Sequence, residues 1–413
     1  MPKQALPGAD ALREMAAQDT GAIFAEKTEL DRLRGVFLDR ELSWLAFDHR
    51  VMLEAAEKQL PLYERLRFLA IWASNLDEFY MVRVGGLVEK DQLHPFRTDV
   101  ISGMTPREQL DAITRTVEAQ LRRAEKLYAQ ITDAMRADGV ELLRADLTHP
   151  VDDALCREQF ETIRSMLTPQ IVPAGKPLPF LHSREQCVIA ILSGGKHAEL
   201  GLVPVSRLPS CTALQVNGVT KLLPTAELVL RHAHELFPDR TVEEARLLRV
   251  TRSAELDLQP LLQGSDTDMR AAMERVLRKR RRLQPVRAQL YPDASKRMTK
   301  RVAVGLGLPQ EQVLVSGMPA DLRFVSAMES EIPDRMKRAA PVPAKNVALR
   351  KGDYFGYLAQ HDLLIALPYQ RIDPFVDLLY EAAEHPQVET IQITLYRLAG
   401  SSRIAAALSY AAQ

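Results

Sequence analysis

Two polar side chains in this sequence stand where a specific contact could form, and Arg397 is the first. It directly follows the segment 388–396, whose apolar and β-branched pattern predicts a buried β-strand. The C-terminal ends of parallel strands are where open α/β sheets bind ligands. A guanidinium there can pair with two phosphate oxygens and neutralise charge during phosphoryl transfer. An interdomain salt bridge explains the position equally well from the residues alone.

The second side chain is Asn75, within the segment 74–83 (SNLDEFYMVR). Apolar residues recur at steps of three and four from residue 62 to residue 87 without a change of phase, which predicts one continuous helix through Asn75. The alternative is a capping box from Ser74 to Asp77 that starts a new helix. An asparagine inside a helix faces water or hydrogen-bonds a specific partner, and its amide can both donate and accept.

The carboxylates Asp77 and Glu78 are adjacent in this helix. Neighbouring residues project about 100° apart around a helix, so the two groups do not face each other as a general acid/base pair would. Neither stands four residues from Arg83, so no helical ion pair is expected. The spacing therefore indicates local polarity or an interdomain contact.

A dense basic cluster spans residues 278–282. A solvated helix end is our first interpretation, because cations suit the C-terminal end of the helix dipole. Contact with a polyanion such as polyphosphate, through counterion release, is the alternative. The formal net charge of +0 and the lack of interleaved aromatic residues argue against nucleic acid as a partner. The members of the cluster are Arg278, Lys279, Arg280, Arg281 and Arg282.

Composition excludes several other kinds of site. The three cysteines show no C-x-x-C spacing, which argues against a disulfide framework or a zinc site and is typical of a reducing compartment. No apolar run reaches the roughly 18 residues of a spanning helix, and the N-terminus lacks the apolar region of a secretory signal. No P-loop sequence occurs, so any nucleotide must be bound in another way. We expect a soluble, cytoplasmic, multidomain protein.

The elements that must position these residues fall into a multidomain α and α+β arrangement. Residues 1–37 read as a poorly ordered extension and 38–139 as an all-helical, bundle-like domain. Short apolar strands alternate with helices over 140–345, which predicts an α+β head domain. A Pro- and Lys-containing linker then leads to 346–413, where strand, helix, strand and helix predict the start of an α/β domain.

Four segments carry a resemblance to a known family: 41–47 (ELSWLAF), 65–71 (RLRFLAI), 74–83 and 394–397 (TLYR). In this order, with an α+β domain between, they resemble the long-type polyphosphate kinases, which reversibly transfer the terminal phosphate of ATP to polyphosphate. The resemblance covers roughly 38–413. It implies a helical domain, a head domain and phospholipase-D-like catalytic domains, of which 346–413 would begin the first.

The resemblance also implies roles for single residues. Asn75 matches the family's asparagine that contacts the nucleotide, and Arg397 matches its phosphate and Mg²⁺ site. Because a guanidinium has no lone pair to offer, Arg397 would contact the metal through a phosphate. The resemblance further implies ATP or ADP and inorganic polyphosphate as partners, a homo-oligomer, and a cytoplasmic location with peripheral association at the inner membrane as an alternative.

The family's phosphate-accepting histidine stands in an H-x-K-x4-D context. None of the nine histidines here has Lys two positions on, so we expect no catalytic residue in this chain and no turnover of ATP by it alone. A non-catalytic oligomerisation or polyphosphate-binding module is the alternative function. Gln392 and the pair Ala366–Leu367 replace residues that are often cationic or histidine in the family, so we expect weaker phosphate binding.

Overall fold

The computed structural model describes residues 38–146, 150–195, 198–254, 284–339, 341–345, 352–395, 398 and 400–413. The extension 1–37, the basic cluster 278–282 and Arg397 lie outside the described residues. The chain divides into two compact units, Met1–Arg338 and Ala339–Gln413. Within the described residues, no helix is both long and apolar enough to cross a membrane.

The first unit begins with a layer of helices, as the sequence predicts. Helix α1 spans Arg40–Glu54 and is capped by Asp39, whose carboxylate accepts hydrogen bonds from two backbone amides of the first turn. Helices α2 (Leu62–Phe79) and α3 (Gly85–Leu93) flank a π-helical turn at Tyr80–Val84. Helix α4, Pro106–Ala137, starts with a Thr105–Glu108 capping box.

The continuous helix predicted through Asn75 is confirmed, because α2 runs unbroken past this position. Its apolar face lies at the centre of the helical core, where four large side chains are almost completely buried. These are Tyr63, Leu66, Leu69 and Trp72. The alternative of a helix start at Asn75 is therefore wrong.

Two sheets follow the helices. Their strands are β1 Val140–Leu142, β2 Gln170–Val172, β3 Gln186–Ser193, β4 Glu199–Pro204, β5 Cys211–Val216, β6 Val219–Pro224, β7 Thr241–Arg252, β8 Pro285–Tyr291 and β9 Val313–Val315. The larger sheet has the order β2-β4-β3-β7-β8-β9, and all its neighbours are antiparallel except β8 and β9. The smaller sheet has the order β1-β6-β5.

Helices α5 (Pro150–Arg164), α6 (Thr225–Arg231) and α7 (Lys296–Leu306) accompany the sheets. The α+β texture predicted for this region is confirmed. The segment after β9, which includes helix α8 (Phe324–Ala327), packs back among the helices of the first layer. The Tyr63 hydroxyl donates to the Val325 carbonyl at 2.9 Å, and both residues belong to one continuous core.

The two faces of the central strands β7 and β8 differ in polarity. Leu248 and Val250 point into one apolar core, while the intervening Arg249 and Thr251 are buried on the opposite face. In the ladder, Arg249 pairs with Gln289 and Thr251 pairs with Arg287. Two neighbouring strands therefore present a buried polar patch on the same face of the sheet.

The second unit contains helices α9 (Tyr354–Leu358), α10 (Asp373–Glu384) and α11 (Arg403–Ala411). The predicted helices are present, but the strands predicted at 362–367 and 388–396 are not formed in the described residues. An isolated parallel bridge between Ala344 and Gln370 is the β-pairing described there. A strand exists only through hydrogen bonds to a neighbour, so an apolar run without one stays irregular.

Candidate functional site

The most heavily charged buried site of the first unit is a row of alternating arginines and aspartates. The Asp77 carboxylate accepts from Arg249 Nη2 at 2.5 Å and, through its other oxygen, from Arg287 Nη2. Arg249 Nη1 in turn lies 2.7 Å from Asp321 Oδ1. Arg323 donates to the Asp321 carboxylate through both Nε and Nη2. We call these five residues the arginine–aspartate row.

Three separate parts of the fold supply this row. Asp77 comes from the last turn of α2, whereas Arg249 and Arg287 come from the buried polar face of β7 and β8. The other two members follow β9. Asp77 therefore joins the helical layer to the sheet within the first compact unit, and an interdomain role for it stays a prediction. The neighbouring Glu78 is exposed.

The charges of the row stabilise one another against burial. Burial alone opposes ionisation of Asp321, but the positive charges of Arg249 and Arg323 outweigh it and lower the pKa of the carboxyl group. Burial likewise opposes the charge of Arg249, yet the two aspartates raise its pKa. The ionised forms of Asp321 and Arg249 are thus favoured, and loss of one partner would leave an uncompensated buried charge.

The π-helical turn after α2 fits against the end of β7. Because a π turn bonds i to i+5, it alters the backbone pattern there, and the Met81 carbonyl accepts from the Ala254 amide at 2.7 Å. A Cβ on Gly85 would lie 2.4 Å from Ser253 Oγ, so any other residue at this position would force Ser253 to shift. Arg287 stacks over the Tyr80 ring, 4.5 Å from its centroid.

A pocket of about 320 Å³ opens next to the row. Its walls are one face of α2, the turn before β3 and the segment after β9. Arg184, in that turn, has a positive φ of 64°, in the left-handed region that side chains other than glycine seldom adopt. The hydrogen-bond donors of its lining include Arg67, Ser74, Arg184, Arg249, Arg323 and Ser326.

Asn75, the nucleotide contact that the resemblance implies, is half-buried and bound to another helix. Its Nδ2 donates to Asp48 Oδ1 of α1 at 2.9 Å. Asp48 is fully buried, and its Oδ2 has no hydrogen-bond partner among the described residues. Burial raises the pKa of Asp48 to about 7, against the smaller opposite effect of the Asn75 bond. Within the described residues, the Asn75 carbonyl oxygen and its second amide proton have no hydrogen-bond partner, so both could bind a ligand.

A wide groove of about 1380 Å³ runs between α1 and α4. Basic side chains of α4 line it together with His49 of α1. Burial and the charge of Arg123 both lower the pKa of His49, so the ring favours its neutral form. The basic members from α4 are Arg115, Arg122, Arg123 and Lys126.

Of the ligand contacts expected from the sequence, Asn75 lies within the described residues, whereas Arg397 and the cluster 278–282 lie outside them. The arginine–aspartate row was not predicted as a unit. Its signal in the sequence is the alternation of Arg249 with Thr251 and of Arg287 with Gln289 between apolar residues in two strands. This alternation predicts a polar face of the sheet, but it does not predict that Asp77 contacts that face.

Comparison with known proteins places this arrangement in a family. Residues 37–143 match the polyphosphate kinase N-terminal domain, 152–328 its middle domain and 353–413 its C-terminal domain 1. A polyphosphate kinase from an Exiguobacterium species is 33% identical over 388 residues, which cover 91% of this chain and 53% of that protein. One from Mycobacterium tuberculosis is 33% identical over 417 residues, covering 95% and 55%.

The crystal structure of polyphosphate kinase from Porphyromonas gingivalis superposes with a TM-score of 0.68 at 26% identity. The match covers 91% of this chain and 54% of that one. The chain thus spans about half the length of the relatives it matches. The order of its three domains, its helical layer and its sheets agree with one assignment: the chain belongs to the polyphosphate kinase family.

Proposed function

We propose that this chain provides the nucleotide-contacting helical region and the head region of an ATP:polyphosphate phosphotransferase. The observation that supports the proposal is the succession of three family domains in the family's own order, over 37–143, 152–328 and 353–413. The reaction is the reversible transfer of the terminal phosphate of ATP to polyphosphate. The domain boundaries we propose are 38–139, 140–345 and 346–413, the last opening a phospholipase-D-like domain.

Asn75 is the residue of the described chain that we assign to the nucleotide. The hydrogen bond to Asp48 holds its amide, and the free carbonyl oxygen and proton suit a ligand with both donors and acceptors. Replacing Asn75 with alanine should weaken ATP binding about tenfold, the value of one well-placed hydrogen bond. The matched control is Gln92→Ala at an exposed position of α3. Equal ATP affinities of Asn75→Ala and the wild type in titration calorimetry would contradict the assignment.

Arg397 is our proposed phosphate contact beside Mg²⁺. The described ranges hold no group of three or more His, Cys, Asp or Glu side chains that could hold a metal ion. The buried carboxylates Asp77 and Asp321 are already engaged by arginines. They do not fit as magnesium ligands, because guanidinium groups already pair with their oxygens. The ion would accompany the phosphates of the nucleotide.

The chain itself supplies no histidine in the family's H-x-K context, because none of its nine histidines has Lys two positions on. We therefore propose that it forms no phosphohistidine alone. Incubation with γ-labelled ATP, followed by acid and base treatment, should leave no acid-labile, base-stable label on the protein. Such a label, or radioactive polyphosphate in the products, would overturn this part of the proposal.

A non-catalytic polyphosphate-binding or oligomerisation module is the second candidate. The basic groove between α1 and α4 favours it, since its four cationic side chains from α4 could follow a polyanion. The double variant Arg122→Gln/Arg123→Gln should reduce binding of long-chain polyphosphate and flatten its dependence on salt. Neutralising 278–282 instead tests the basic cluster. Polyphosphate binding that survives both changes would rule out these two basic surfaces as its site, and absence of binding to the unchanged chain would remove the polyphosphate-binding candidate.

A further inference from the structure

We propose that the pocket beside the arginine–aspartate row is a binding site for a short phosphate anion, of the pyrophosphate or tripolyphosphate class. This site is distinct from the nucleotide contact assigned to Asn75, which does not line the pocket. An anion there would bridge α2, the turn before β3 and the segment after β9. The proposal concerns a bound, unreacting ligand and involves no transfer step.

Charge is the first argument. Within the row, three arginines share two aspartates, which leaves one positive charge in excess. Arg184 adds a second, because it forms no ion pair with a described residue. Arg67, at the pocket wall, is paired with Glu64 at 3.2 Å. A partly buried site with an excess of guanidinium charge attracts an anion, and guanidinium groups bind phosphate oxygens in pairs.

Unused hydrogen-bond donors are the second argument. Arg184 Nε is buried and has no partner in the described part of the chain, and the same holds for Nε of Arg249. The Arg249 side chain is only 4% exposed. A buried donor without an acceptor is costly, and an anionic oxygen close by would reduce that cost. The strained backbone of Arg184 agrees with a functional position, since such strain concentrates at ligand sites.

The size of the pocket and the residues that line it indicate which kind of anion it binds. At about 320 Å³ the pocket lies at the small end of ligand sites, too small for a bound nucleotide in full. Its lining includes no aromatic side chain on which a base could stack. The hydroxyls of Ser74 and Ser326 stand at the wall as further donors to phosphate oxygens. A di- or triphosphate matches these features better than a nucleoside.

Binding of tripolyphosphate, pyrophosphate and phosphate to the whole chain, measured by titration calorimetry and thermal shift, tests the proposal. Arg184→Asn removes the charge with a residue that tolerates a left-handed backbone. We expect about a tenfold loss of tripolyphosphate affinity. Arg207→Asn, at an exposed position outside the pocket lining, is the matched control and should bind as the wild type does.

A second variant keeps the test decisive if Arg184→Asn fails to fold. Ser326→Glu places a negative charge at the exposed wall of the pocket and leaves every arginine in place, so it should abolish binding. Wild-type affinity in both variants would overturn the proposal. Because Asn75→Ala should leave tripolyphosphate binding intact, failure here is distinguishable from failure of the nucleotide assignment. Competition by long-chain polyphosphate would identify the ligand as a chain end, and its absence would identify free oligophosphate.

Discussion

Asp48 is a carboxyl group whose charge state is coupled to folding. Burial raises its pKa from 3.8 to about 7, so near neutral pH the folded chain holds it partly protonated. Ionisation leaves Oδ2 buried without a donor, whereas protonation preserves the bond from Asn75 to Oδ1. The residue that orients Asn75 is therefore also a pH-dependent element of stability.

The first prediction concerns Asp48→Asn, which keeps the shape of the neutral acid and cannot ionise. Because the folded-state pKa is above the unfolded one, the stability from Asp48 is fully present below pH 3.8 and is lost as the pH rises through about 7. The variant lacks this loss, so its unfolding free energy should rise relative to that of the wild type by on the order of 2 kcal/mol as the pH goes from about 5 to about 8. Urea unfolding across that range measures it, with exposed Asp133→Asn as control.

The second prediction tests the arginine–aspartate row at Asp77. Asp77→Asn leaves Arg249 and Arg287 buried with one compensating charge fewer, so it should cost about 3–5 kcal/mol of unfolding free energy. The adjacent Glu78 is exposed, and Glu78→Gln should change stability by less than about 0.5 kcal/mol. Urea unfolding measures both variants. Similar losses of unfolding free energy in Asp77→Asn and Glu78→Gln would mean that the row contributes no net stability.

At the scale of elements, the π-helical turn is the feature that brings α2 to the sheet. Gly85→Ala would set a methyl group 2.4 Å from Ser253 Oγ and 3.0 Å from its Cβ. The strain should exceed the roughly 1 kcal/mol that alanine gains over glycine in a helix, giving a net loss of about 1–2 kcal/mol. Thermal unfolding of Gly85→Ala, Ser253→Ala and the double variant measures this. A coupling below about 0.3 kcal/mol would show that the two residues do not clash.

The elements also show which features a sequence can specify. Helix α4 was predictable to its ends, because Thr105, Pro106 and Glu108 fix its start and its apolar residues follow one period. The π turn at 80–84 was not, since it continues the helical pattern and differs only in hydrogen bonding. The segment 362–367 has a strand's composition, but composition does not supply a hydrogen-bonded neighbour. Arg249 and Arg287 carried a visible alternation, yet their partner Asp77 is distant in the chain.

At the scale of the whole molecule, the two units differ in how well they bury their apolar residues. In the first, one continuous core joins α1, α2 and α4 to the segment after β9. In the second, Leu364 is 88% exposed in the segment 362–367, which has no strand partner among the described residues, and Tyr369 is 73% exposed beside the isolated bridge between Ala344 and Gln370. Exposed apolar side chains beside unpaired backbone favour association between copies.

The last prediction follows from this difference. The chain should associate in a concentration-dependent way through its second unit, and Leu364→Lys should lower that association by adding a charge where the apolar side chain is exposed. Val304→Lys, at a 72% exposed position of α7, is the matched control and should leave association unchanged. Light scattering across a concentration series measures the effect. A specific homo-oligomer built on the first unit would instead keep one defined mass in both variants, and a monodisperse, protease-resistant second unit would contradict the prediction directly.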